Sequence, residues 1–151
     1  MADQQSVHVL LVSYPTQGHI NPLLQFGKRL AGHRDVRCTL AVTRYVLGSS
    51  DPPQPGAVHV AGFSDGCDSR GYDEVADERG YLERLESAGS VSLGELLEDE
   101  SAVGRPVRAV VYDALLPWVP RVARLHGARC AAFFTQACAV NVVFAHAWAG
   151  G

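Results

Sequence analysis

The apolar residues of this chain change period repeatedly along its length, and that alternation constrains the fold more than any other feature. An unbroken run, Val7 to Ser13 (VHVLLVS), ends in the turn Tyr14-Pro15-Thr16-Gln17-Gly18. Its length and the turn that follows read as a strand buried on both faces. Ile20, Leu23, Leu24, Gly27, Leu30 and Ala31 then recur at helical spacing, which predicts a helix over residues 20–32 with one inward stripe. Asn21 is expected to cap it, Pro22 to take its first position, and Gly32-His33 to end it. The exchange continues: Val36 to Thr43, Val58 to Gly62, Val107 to Tyr112 and Cys130 to Phe134 read as strands. Helices are expected from Glu78 to Glu100, with a break near Gly89-Ser90, from Trp118 to His126, and from Ala137 to Trp148. Gly48 to Gly56 and residues 64–77 read as exposed loops by composition. Strands alternating with helices give an α/β fold, a mostly parallel sheet with helices on both faces.

With 47% apolar and 19% charged residues, the chain has enough apolar surface to fold around a core. A formal charge of −3 gives no electrostatic case for nucleic acid or an anionic membrane. No run of 18 apolar residues occurs, so no membrane insertion is expected. The start, Met1 to Gln5, is polar and acidic, unlike a signal peptide. Cys38, Cys67, Cys130 and Cys138 contain no C-x-x-C pair, which argues against a zinc knuckle or redox motif. Cys38, Cys130 and Cys138 lie in apolar context and read as small core residues, free thiols in a reducing cytoplasm. The histidines are scattered without metal-ligand spacing, so no metal is expected.

In an open parallel sheet, ligands bind beyond the carboxyl ends of the strands, so the residues that follow each strand carry the chemistry. Those residues are Tyr14 to His19 after the first strand, Asp113 after the fourth, and Thr135-Gln136 after the fifth. A histidine oriented by a carboxylate is a competent general base. A helix amino terminus, where His19 is expected, favours the neutral imidazole that a base requires. Two plainer readings stand beside this one: His19 as a surface or capping histidine, and Asp113 as a helix N-cap. The turn after the first strand has one glycine and lacks G-x-G-x-x-G; no phosphate-binding P-loop and no G-x-S-x-G elbow occurs.

The block from His8 to Leu30, with Pro15-Thr16-Gln17-Gly18-His19-Ile20-Asn21-Pro22 at its centre, resembles the opening of plant family-1 UDP-dependent glycosyltransferases. Thr43-Arg44-Tyr45, Ser64-Asp65-Gly66, Val111 to Trp118 and Phe133 to Gln136 agree with that family in order and spacing. The resemblance covers nearly all of the chain, and is strongest to the group that glucosylates small phenolic, acidic or terpenoid acceptors. It implies that residues 1–151 form the N-terminal, acceptor-binding Rossmann-like domain of a two-domain GT-B enzyme. It implies an inverting transfer of glucose from UDP-glucose, a co-substrate, to a small-molecule acceptor, with no cofactor. By the resemblance His19 is the base and Asp113 its partner, while Gly18 and Thr135 meet the donor sugar. Tyr14, Phe63 and Trp118 are expected to wall the acceptor pocket. The family's donor signature, a Trp-rich segment ending in His-Cys-Gly-Trp-Asn-Ser, has no counterpart here. The expectation is therefore that the C-terminal UDP-sugar-binding domain is absent, and that an isolated non-catalytic binding domain is the alternative.

Overall fold

A computed structural model describes residues 6–49 and 51–150. The polar start at Met1 to Gln5, Ser50 in the first loop, and Gly151 lie outside the described residues. Five strands form one sheet: β1 (Val7–Val12), β2 (Val36–Thr43), β3 (His59–Phe63), β4 (Val107–Asp113) and β5 (Arg129–Phe133). Their order is β3-β2-β1-β4-β5, and every neighbouring pair runs parallel. The helices are α1 (Gln17–Ala31), a single turn α2 (Arg44–Leu47), α3 (Glu78–Ala102), α4 (Val119–Leu125) and α5 (Cys138–Ala149). A 3₁₀ turn, Gly71–Glu74, lies within the loop before α3.

The two faces of the sheet bury separate clusters, as strand alternation requires. On one face Val9 and Leu11 of β1 meet Ile20, Leu23 and Leu24 of α1. On the other, Leu10 and Val12 meet Leu85, Leu93 and Leu97 of α3, with Val119 and Val122 of α4. Each such side chain taken fully out of water stabilises the fold by roughly 1.5–3 kcal/mol.

Three expectations about helices need correction. The first helix begins at Gln17, not at residue 20, because extended Thr16 is its N-cap residue and the Thr16 carbonyl accepts from the N–H groups of His19 and Ile20. Asn21 is therefore no cap, and Pro22 lies inside the helix, where its missing N–H leaves the Gly18 carbonyl without its usual partner. The third helix runs through Gly89-Ser90 without a break. Gly89 is there for packing: a Cβ would stand 2.8 Å from Trp118 Cη2. Gly127 does stop α4, in the left-handed region at φ 75°. The loop at residues 64–77 is not uniformly exposed, since Asp65 and Cys67 are buried. Cys38 fits the expected core role, and burial pushes its thiol up to about 11. Cys138 does not fit, being exposed on α5. That helix, although mostly apolar, buries none of its residues against the described chain.

Candidate active site

The sheet delivers three side chains to its carboxyl edge from three adjacent strands. His19 lies in the first turn of α1, just after β1; Asp113 is the last residue of β4; Thr135 follows β5. His19 Nδ1 lies 2.6 Å from Asp113 Oδ2 and 3.3 Å from Thr135 Oγ1. An ionised carboxylate only accepts, so the short contact puts the imidazole hydrogen on Nδ1 and leaves Nε2 with its lone pair. Nε2 has no hydrogen-bond partner among the described residues. Asp113 is 1% exposed, and His19 is only partly covered. The second oxygen of Asp113 accepts from the Leu115 N–H at 2.9 Å. One oxygen of Asp113 thus shapes the turn and the other contacts the histidine; Asp113 is not a helix N-cap, since Trp118 holds that position for α4.

A cleft of about 620 Å³ opens beside this pair. Leu115, Phe134, Phe144 and Trp148 make it largely apolar, while Gln136 and Asn141 add polar groups. No lysine or arginine lines it among the described residues. A polar pair set in an apolar wall suits binding of a small organic molecule at the histidine.

Gly18 lies in the exposed first turn of α1, with open space where a Cβ would point. Tyr14 packs beside His19, ring centroids 5.3 Å apart, and faces a smaller pocket of about 170 Å³ with Tyr72 and Tyr81. Phe63 and Trp118 are different: at 0% and 6% exposure they belong to the core under α3 and line neither pocket. For these two, the general tendency of large aromatics to fill cores prevailed. Sequence reasoning missed the walls that α5 supplies, Phe144 and Trp148. It also missed the buried carboxylate of Asp65, which accepts from Tyr81 Oη at 2.6 Å and from the Cys67 N–H at 2.9 Å. Burial and that carboxylate drive the Tyr81 hydroxyl far above its ordinary pKa. A Ser-Asp-Gly sequence alone gives no sign of such burial; a tyrosine on the inward stripe of α3 was the available hint.

Fold and site together define a class: a Rossmann-like parallel α/β domain with a carboxylate-oriented histidine at its ligand-binding edge. No family model matches the chain. Curated relatives do. The chain is 50% identical over 147 residues to the UDP-glucosyltransferase UGT13248 of barley, Hordeum vulgare, covering 96% of the chain and 30% of the relative. It is 48% identical over 138 residues to UDP-glycosyltransferase 79 of rice, Oryza sativa, covering 90% and 29%. Among solved structures, the rice protein Os79 in complex with UDP superposes with a TM-score of 0.83 at 49% identity, over 90% of this chain and 30% of that one. A second Os79 structure, titled as a complex with U2F and trichothecene, gives a TM-score of 0.82. By sequence and fold, the chain is related over nearly its whole length to the amino-terminal part of plant UDP-glycosyltransferases, with the fold of their GT-B N-terminal domain. It spans about 30% of the length of these relatives. No group of three or more potential metal ligands occurs among the described residues, and no helix there is long and apolar enough to cross a membrane.

Proposed function

We propose that residues 1–151 are the acceptor-binding domain of an inverting UDP-glycosyltransferase, in which His19 is the general base. The observation that carries this reading is the 2.6 Å contact between His19 Nδ1 and the buried carboxylate of Asp113. Nε2 takes the proton of an acceptor hydroxyl as that oxygen attacks the anomeric carbon of UDP-glucose. The new C–O bond forms as the bond to the diphosphate oxygen breaks, and UDP leaves with the electron pair. Asp113 stabilises the imidazolium so formed. A carboxyl acceptor arrives already ionised and needs the base less. Thr135, 3.3 Å from the same ring, and the backbone near Gly18 meet the donor sugar. Uracil, ribose and diphosphate are held by a second domain, because the cleft offers them no cation. The acceptor is a small plant metabolite or xenobiotic, and the reaction needs no metal or cofactor. The cytoplasm, where UDP-sugars are available, is the proposed location.

The test joins residues 1–151 to the matching remainder of the rice relative and measures transfer to a phenolic hydroxyl. His19→Ala is expected to lower turnover by about 10²–10⁴-fold, the usual contribution of a positioned base, with the melting temperature little changed. Turnover near wild type would exclude His19 as the base. A second reading, binding without turnover, is favoured only by the apolar character of the cleft. An inactive fusion that still binds the phenol at this cleft would support it.

A further inference from the structure

The opposite edge of the sheet, at the amino ends of the strands, has a cavity of its own, about 370 Å³ in volume. Four arginines converge on it: Arg34 after α1, Arg37 on β2, Arg105 before β4 and Arg108 on β4. Such a gathering is notable in a chain of net charge −3. His8 and His59 complete the wall. His8 is buried, its Nδ1–H donating to the Arg105 carbonyl at 2.7 Å and its Nε2 accepting from Thr39 Oγ1 at 2.8 Å.

The positive charge is poorly compensated. Glu100 holds Arg105 through two contacts of 2.8 and 3.0 Å. Arg34, Arg37 and Arg108 make no ion pair among the described residues. Asp35, next to Arg34, is exposed. Arg37 gives the most specific indication. Its Nη1 donates to His59 Nε2 at 3.1 Å, yet its Nε–H is buried with no partner among the described residues. A cationic group with an unpartnered donor is costly, and the charge of this guanidinium, met by no carboxylate among the described residues, favours an anion in the cavity that Arg37 lines. Burial first, and then the cations of Arg37 and Arg105, also hold His59 below its ordinary pKa, with Glu100 acting against them.

We propose that this cavity is a second ligand site that binds a small soluble dianion of the phosphate class through Arg37, with Arg34 and Arg108 completing the charge match. The planar guanidinium fork suits tetrahedral oxyanions and places two donors on one ligand. The site is separate from the His19 cleft: the six residues of β1 set the two edges roughly 20 Å apart. It therefore does not depend on the glycosyltransferase reading.

Calorimetry on the 151-residue chain with inorganic phosphate, at low and fixed ionic strength, tests the proposal. Saturable one-to-one binding is expected, with phosphate-dependent shifts of the Arg37 Nε–H and His59 signals by NMR and displacement by sulfate. Arg37→Gln should weaken it by roughly tenfold or more, the usual loss for a hydrogen bond to a charged group, whereas Arg121→Gln, distant on α4, should not. Should Arg37→Gln fail to fold by circular dichroism, exposed Arg108→Gln carries the same expectation of weakened binding. The proposal is overturned if no saturable binding is seen at about 10 mM phosphate, an affinity too weak to matter. It is equally overturned if matched chloride displaces the ligand as well as sulfate does, or if the folded arginine variant binds like wild type.

Discussion

Replacing Asp113 by Asn tests the site at the level of a single hydrogen. Asp113 uses Oδ1 to accept from the Leu115 N–H at 2.9 Å and Oδ2 to meet His19 Nδ1 at 2.6 Å. An asparagine keeps the first contact only by pointing its carbonyl at Leu115, which turns its NH₂ group toward His19. That group donates, so Nδ1 must become the acceptor and the imidazole hydrogen must move to Nε2. The fold pays little: a charge-assisted bond worth about 1.5–3 kcal/mol becomes a neutral one of about 0.5–1.5 kcal/mol. The melting point should fall by a few degrees only, since a loss of about 1 kcal/mol shifts a domain of this size by roughly 2–4 °C. The chemistry pays heavily, because a ring protonated at Nε2 has no lone pair to offer the acceptor; a wrong tautomer of this kind costs about 10⁴-fold in turnover. Long-range ¹⁵N–¹H correlation on the 151-residue chain reads the tautomer, and the fusion enzyme reads the rate. A wild-type ring already protonated at Nε2, or an Asn variant with ordinary turnover, would refute this reasoning.

Three further outcomes are expected. Gly89→Ala should destabilise the chain despite a gain in helix propensity of about 1 kcal/mol: the new Cβ stands 2.8 Å from Trp118 Cη2 and 3.0 Å from Cζ2, and overpacking of this kind costs about 1–3 kcal/mol. Urea denaturation checks it, and an alanine variant more stable than wild type would show that Trp118 moves freely. His8 is held below its ordinary pKa of 6.5, chiefly by burial, against the Arg105 carbonyl and Glu100 which favour its charge. The unfolded chain therefore binds the extra proton, so this contribution to stability is complete above pH 6.5 and is lost as pH falls below it. Urea midpoints between pH 5 and 8 should show that slope, and His8→Gln should flatten it. Finally, the 151-residue chain should bind UDP-glucose weakly, because no lysine or arginine among the described residues lines the cleft beside His19 to hold a diphosphate; micromolar affinity by calorimetry that survives Arg37→Gln would locate a donor site at this edge after all.

The strands and the residues that follow them were legible because both depend on local pattern. Periodicity gives β1, β2 and β4 to within a residue, and an open parallel sheet then requires their carboxyl ends to share one edge. What was not legible depends on partners distant in sequence. Gly89 looks like a helix breaker until Trp118, on another element, is seen to need the space. Pro22 looks like a first-turn residue until Thr16, extended, starts the helix earlier. Phe63 and Trp118 stand near strand ends in the sequence, yet both turn into the core under α3, because no local signal tells an aromatic which face it will take. Asp65 sits in a stretch polar enough to read as solvent-exposed, and its burial follows from Tyr81 on α3, which supplies the hydroxyl that satisfies it.

The strand order also explains why His19 and Asp113 meet at all. In the order β3-β2-β1-β4-β5, the direction of winding reverses between β1 and β4. The chain leaving β1 enters α1 on one face of the sheet, where Ile20 and Leu23 are buried. The chain leaving β4 passes to the other face, where Leu116 and Val119 are buried. The two exits diverge and leave a crevice at the reversal, the usual ligand position in open α/β sheets. His19 enters that crevice from the α1 side and Asp113 closes it from the end of β4, so a separation of 94 in sequence becomes a 2.6 Å contact. Thr135 joins from β5 because Asp113 pairs with Phe133 across the next ladder, two residues before it. A slip of that ladder by one residue would turn the side chains of β5 to the opposite face, so the placement of Thr135 beside the histidine depends on strand register as much as on its own chemistry.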